Sequence, residues 1–260
     1  MQGSKTPLTV RLDGLRVAVS AGAAGIGRVM ADSFTACGAR VFLCDVDREA
    51  LAACPHPSVF ADVETPEGCD AFMDAALSHL GGLDALLNNA GIAGPTARVE
   101  DVAPDALSRT LKIDLEAMFH CARRAVPALR EAGGGSIVNL SSAAGRFGFP
   151  LRSPYAAAKW GVVGFTKSLA IEVGPDGIRV NAILPGLVEG DRIRRVIEAK
   201  AQARGVSFKE QETESLRNVS LRCYVTQQDI ANMALYLCSP FGATVSGQAL
   251  AVDGDTQSLV

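Results

Sequence analysis

Leu15-Arg16-Val17-Ala18-Val19-Ser20-Ala21-Gly22-Ala23-Ala24-Gly25-Ile26-Gly27 carries a short apolar run through a cluster of small residues into a helical pattern. Small residues let the backbone turn tightly and approach a pyrophosphate. The N-terminus of the following helix offers free N–H groups and the positive end of its dipole. The junction therefore reads as a dinucleotide cradle built from Ser20, Gly22, Gly25, Ile26 and Gly27, although its spacing is not the common G-x-G-x-x-G. Eighteen residues beyond Gly27 the next run ends in Leu43-Cys44-Asp45. A carboxylate there can accept both hydroxyls of an adenine ribose and repels a 2′-phosphate. No arginine stands at position 44, and the loop has no basic residue before Arg28, so the expected cofactor is NAD rather than NADP.

Working outward, further strand-like runs follow at Arg40–Cys44, Ser58–Ala61, Leu83–Asn88, Ser136–Leu140, Ile178–Leu184 and Gln248–Val252, after the first at Leu15–Ser20. Helical patterns separate most of them. Strands that read as nearly continuous apolar runs are buried on both faces, as parallel strands covered by helices must be. The alternation predicts an α/β fold: a single doubly wound, Rossmann-type domain over residues 1–260, with a parallel sheet of about seven strands and helices on both faces. Residues 1–10 are expected to form a flexible lead. The charged stretch 189–222 is longer than a connection requires and is expected to be a lid over the substrate.

Composition narrows the function. Hydrophobic residues make up 48% and charged residues 20%, as in ordinary soluble globular proteins. A net charge of −3 with no basic tract argues against nucleic acid and acidic membranes as partners. No run approaches the roughly 18 apolar residues that span a bilayer, and Met1–Pro7 lacks a signal peptide's apolar stretch. Seven cysteines without a C-x-x-C pair read as reduced thiols of a cytoplasmic protein. The three histidines show no metal-ligand spacing, so no metal is expected.

Tyr155 and Lys159 stand four residues apart, so on a helix phenol and ammonium share one face. A neighbouring ammonium favours the phenolate and makes Tyr155 a usable general acid or base. Ser142 lies thirteen residues upstream of Tyr155. With the cradle ahead of them, these residues suit hydride chemistry in which the protein handles the oxygen's proton.

In this order the chain resembles the short-chain dehydrogenase/reductase family in its compact form, from about Gly14 to Gly254. The markers are the glycine loop, Ala61-Asp62-Val63, Asn88-Asn89-Ala90-Gly91, Ser141-Ser142, Tyr155 with Lys159, Pro185-Gly186, and Gly247-Gln248 leading to Val252-Asp253-Gly254. The resemblance implies that Asp62 and Val63 meet the adenine, and that Asn89, Ala90 and Gly91 lie beside the cofactor. It implies that Ser142 hydrogen-bonds the substrate oxygen, Tyr155 passes the proton and Lys159 holds the nicotinamide ribose. Pro185, Gly186 and Val188 would line the nicotinamide. It also implies a homotetramer or homodimer built on the helices around 104–131 and 153–173.

Three departures stand out. Ala21 occupies the place of the usual first loop glycine, which implies that the backbone there keeps negative φ or that Gly22 absorbs the turn. Asp114 replaces the family's usual active-site asparagine and is expected to be a catalytic-site member. Gly190 replaces a frequent threonine. The expected reaction is hydride transfer between NAD(H) and a secondary alcohol or ketone, on a small polar or anionic metabolite. Arg146, Arg152 and Arg192 are the candidate substrate contacts, since a guanidinium can grip an anion in bidentate fashion. A 3-oxoacyl thioester reductase and a catalytically silent cofactor-binding protein are the alternatives.

Overall fold

The computed structural model describes residues 10–259; Val260 and residues 1–9, where nearly all of the expected lead falls, lie outside the described residues. β1 (Arg16–Val19) passes through the small-residue loop into α1 (Gly25–Ala36), followed by β2 (Arg40–Asp45), α2 (Arg48–Ala52) and β3 (Ser58–Phe60). Then come α3 (Pro66–Leu80), β4 (Ala85–Asn88), α4 (Pro104–Leu111), α5 (Ala117–Glu131) and β5 (Gly135–Leu140). α6 (Ser153–Val173), β6 (Ile178–Pro185), α7 (Asp191–Arg204), α8 (Phe208–Arg217), α9 (Gln227–Cys238) and β7 (Ala249–Val252) complete the order. The strands form one parallel sheet in the order β3-β2-β1-β4-β5-β6-β7. The expected runs match these strands to within two residues at each end.

Alternation within each strand explains why both faces are covered. Val17 and Val19 of β1, Val41 and Leu43 of β2, and Ala85 and Leu87 of β4 pack beneath α1 and α9, against Met30, Phe34, Ile230 and Ala234. Their neighbours Ala18, Phe42, Cys44 and Leu86 point the other way, into a core with Phe72, Met73, Cys121, Leu129 and Leu169 of α3, α5 and α6. A central strand with apolar side chains on both faces cannot face water on either. Chain direction across the sheet reverses between β1 and β4, which opens a crevice at the C-terminal strand ends.

The small-residue loop corrects one expectation. Ala21 has φ +50°, so the alanine itself takes the left-handed turn, and neither negative φ at position 21 nor Gly22 relieves it. Its Cβ then crowds the following carbonyl, a cost of about 1–2 kcal/mol that glycine would not bear. Gly190 has φ +130°, a conformation hostile to a β-branched side chain, which accounts for the missing threonine. Replacing Ala21 by Gly should raise stability by about 0.5–1 kcal/mol after the entropy of the unfolded glycine is subtracted. That corresponds to a melting temperature higher by about 1–4 °C, readable by calorimetry. A drop would mean that the turn is not strained.

Candidate active site

The cradle is held from behind. The Asn89 side-chain amide donates to the carbonyls of Ser20 (3.1 Å) and Ala21 (2.8 Å). Ser20 Oγ accepts from the N–H groups of Asn89 and Ala90, each at 3.0 Å. A Cβ on Gly27 would collide with the Ala21 carbonyl and lie 2.5 Å from Asn89 Nδ2, so only glycine lets α1 approach so closely. α1 starts at Gly25 with Ala24 as its cap; no side chain satisfies its first N–H groups and no acidic residue stands in its first turn. Those amides and the dipole end suit a phosphate. Asp45, at the tip of β2, accepts from Ala23 N (3.1 Å) through one oxygen and from Val46 N (2.8 Å) and Asp47 N (3.2 Å) through the other. Asp62 is exposed beyond β3 and accepts from Glu64 N at 2.9 Å; Val63 beside it is buried. The uncapped helix, the small-residue bend and the carboxylate at its edge fit a dinucleotide.

The proton-handling groups converge at the ends of β4, β5 and β6. Lys159 Nζ lies 5.6 Å from the Tyr155 ring centre and donates to Leu140 O at 3.0 Å, with only 3% of the residue exposed. Ser141 Oγ donates to Lys159 O (2.8 Å), and Asn139 donates to Thr166 Oγ1 (3.0 Å), so α6 is pinned to β5 at two levels. Ser142 Oγ accepts from Ala144 N at 3.1 Å, which leaves its hydroxyl hydrogen free to donate. Pro185 ends β6, and Gly186 runs against Asp253, so close that a Cβ would lie 2.7 Å from its Cα. Val188 bridges to Val225 beyond it.

Asp114 sits in a π turn, Lys112–Glu116, between α4 and α5, a distortion common at functional sites. It is fully buried; its Oδ1 accepts from Ile92 N (2.6 Å) and its Oδ2 has no partner. Burial pushes this carboxyl above the ordinary range, against the opposing pull of Lys159 and Arg192. Gly91 lies between them: a Cβ there would stand 2.9 Å from Asp114 Oδ1 and 3.3 Å from Lys159 Nζ.

The candidate substrate arginines separate. Arg192, at the start of α7, donates to the carbonyls of Gly91 (3.1 Å) and Ile92 (3.0 Å). Arg146 is exposed, bonds Thr256 O (3.0 Å) and pairs with Asp253 (3.3 Å). Both therefore have protein oxygens as partners where the sequence suggested substrate. Arg152 is buried at the cap of α6, its guanidinium 5.1 Å from the Tyr155 ring centre, and it donates to Ala93 O. Sequence reasoning missed Lys200, which is 2% exposed with Nζ 4.2 Å from the Phe149 ring centre. The signal was available: Lys200 continues the stripe Ile193, Val196, Ile197 along the inner face of α7. A hollow of about 820 Å³ lies at the opposite edge, around Leu12–Leu15 and Gly174–Arg179, and contains none of these groups.

This arrangement, a cofactor cradle at a strand switch facing a Ser-Tyr-Lys set, agrees with the comparisons to known proteins. The chain belongs to the short-chain dehydrogenase/reductase family: the family model described as enoyl-(acyl carrier protein) reductase matches residues 21–255. Trans-4-hydroxycyclohexanecarboxylate dehydrogenase of Sinomonas cyclohexanicum is 36% identical over 255 residues, covering 92% of each chain. The crystal structure of NAD+-bound xylitol dehydrogenase superposes with a TM-score of 0.90 at 27% identity, over 93% of this chain and 98% of that one. A structure of an actinorhodin polyketide ketoreductase variant with NADPH gives 0.87 at 32% identity, over 94% and 98%. The protein is an oxidoreductase of alcohols and ketones that uses a nicotinamide cofactor. Among the described residues, no helix is long and apolar enough to cross a membrane, and no three potential metal ligands cluster.

Asp114 yields a pH-dependent prediction. A folded-state pKa raised above the unfolded one means that the native state binds the extra proton, so this contribution is present at low pH and is lost as pH rises through the folded value. Asp114→Asn should melt higher than wild type at pH 8, and the gap should close as pH falls into the ordinary carboxylate range. Melting curves across that interval check it; a constant gap would assign the effect to packing instead.

Proposed function

We propose that the protein is an NAD-preferring dehydrogenase or ketone reductase acting on a small polar or anionic secondary alcohol or the matching ketone. The single observation that carries the cofactor choice is Asp45: its carboxylate is bonded to the cradle through Ala23 N, where it can receive ribose hydroxyls and repel a 2′-phosphate. The anionic character of the substrate is supported by the relative whose name specifies a ring carbinol bearing a carboxylate.

When bound, the nicotinamide accepts or supplies the hydride. Tyr155 takes the alcohol's proton on its phenol oxygen during oxidation and returns it to the carbonyl oxygen during reduction. The Lys159 ammonium, held by Leu140 O, offsets the phenolate charge, and Ser142 donates a hydrogen bond to the same substrate oxygen. Asn89 and Ser20 keep the phosphate cradle in shape. The segment 189–222, folded as α7 and α8, serves as the lid: its first helical turn reaches across to the strand end after β4, where Arg192 bonds the carbonyls of Gly91 and Ile92. A cytoplasmic location is supported by the seven free thiols.

Two measurements test this reading. In fluorescence titrations, NADH should bind more tightly than NADPH, and Asp45→Ala should relax the difference; a preference for NADPH would promote the thioester reductase, and binding of neither the silent protein. Tyr155→Phe should lower kcat by about 10²–10⁴-fold without unfolding the chain.

The assembly we propose is a homotetramer or homodimer through the outer faces of α4, α5 and α6. Phe119, Trp160 and Ile171 are exposed there, with Phe119 stacked 3.9 Å from Phe165 between ring centres. Light scattering should give a dimer or tetramer for the wild type and a monomer for Phe119→Glu combined with Ile171→Glu. A monomeric wild type would dismiss the interface.

A further inference from the structure

Two buried cations flank Phe149, one of them, Arg152, also beside the Tyr155 ring, and both lack what a buried charge requires. Arg152 has 2% exposure, and of its guanidinium nitrogens only Nη2 is bonded, to Ala93 O; Nε and Nη1 have no partner among the described residues. Lys200, also 2% exposed, has no partner for Nζ. The Phe149 ring connects them, its centre 5.2 Å from the guanidinium carbon and 4.2 Å from Nζ. Of the acids nearby, Glu214, which faces Lys200 from α8, pairs with Arg204; Asp114, whose charge acts on Arg152, bonds Ile92 N through one oxygen and reaches neither cation with a hydrogen bond. The remaining wall is largely apolar, including Leu187, Ile193, Ile197 and Val219. Unpaired buried charge is costly, so the site is built to receive an anion.

We propose that Arg152 and Lys200 together seat the carboxylate of a short hydroxy acid, or of the matching oxo acid, whose reacting carbon stands at Tyr155. The proposal rests on the alcohol/ketone reading above and adds the substrate class. The planar carboxylate suits the free edge of the guanidinium and the cramped space better than a tetrahedral phosphate does. With the guanidinium 5.1 Å from the Tyr155 ring centre, only a few bonds can separate carboxylate and carbinol. Burial, together with Arg152 and Arg204, lowers the Lys200 pKa to about 8, with Glu214 opposing. A bound carboxylate would hold its proton.

The test uses butyrate and cyclohexanecarboxylate as probes, each against its amide, with the full-length protein both free and saturated with NADH. Binding is read as a shift in melting temperature and, with NADH, as a change in fluorescence. The acids should bind at least tenfold more tightly than the amides, and their affinity should fall as pH rises through about 8. Arg152→Gln and Lys200→Met should each cost the acids at least fivefold and leave the amides and NADH unchanged. The pH dependence should vanish in Lys200→Met, which alone decides the matter if the other variant fails to fold. Equal binding of acid and amide, or an unchanged affinity in Lys200→Met, overturns the proposal. Failure of NADH to bind would overturn the cofactor reading separately, because the free protein still reports on the acids.

Discussion

A lysine ammonium buried beside a phenol is the constraint on which the catalytic end depends. Lys159 can stay charged in a dry site only with an acceptor, and the structure supplies Leu140 O at the last residue of β5. That acceptor exists because α6 is locked onto the strand by Ser141 Oγ on the Lys159 carbonyl and by the Asn139–Thr166 bond about two turns further along. The second of these bonds extends to Asn88, which donates to Asn139 Oδ1 at 2.9 Å, so β4, β5 and α6 share one buried polar chain. A fully satisfied chain of this kind rigidifies its surroundings, whereas a half-satisfied one would destabilise them. The phenol inherits its position from that framework.

The cofactor end follows a different logic. There the backbone groups are left available: an uncapped helix start in α1, and a loop whose carbonyls are turned back onto Asn89. Turning the carbonyls of Ser20 and Ala21 inward keeps acceptor oxygens away from a phosphate, and the strain at Ala21 is retained to achieve it. Asn89 is therefore a brace for the loop more than a partner of the cofactor.

Most of this was legible in the sequence because it rests on local pattern. Runs such as Val17–Val19 and Leu86–Leu87 are apolar on both faces, and the i, i+4 spacing of Tyr155 and Lys159 needs only a helix. What the sequence concealed depends on contacts between distant segments. Nothing near Arg192 announces that it will reach across to the carbonyls of Gly91 and Ile92, and nothing near Arg146 announces Asp253. Lys200 lies on a stripe the sequence does show, but among charged neighbours a lysine there reads as solvated, and only the closure of Phe149 and α8 over it reveals its burial. Ala21 misled because the sequence offered Gly22 as an easier place for the turn.

Asp114 and Arg192 are best understood together. An asparagine at position 114 would bring an acceptor and a donor to the strand end after β4; an aspartate brings acceptors alone. The acceptor role is kept, through Oδ1 and the Ile92 N–H. The adjoining carbonyls of Gly91 and Ile92 accept from the guanidinium of Arg192, on the first turn of α7. The strand end after β4 is thereby tied both to the π turn and to α7. Arg192 also sets a cation near the buried carboxyl, which draws the proton affinity of Asp114 back down against its burial. Any displacement of α7 that breaks the Arg192 bonds removes that cation at the same moment. The position of α7 and the charge state of Asp114, and through Asp114 the field at Lys159, are therefore linked by a single side chain.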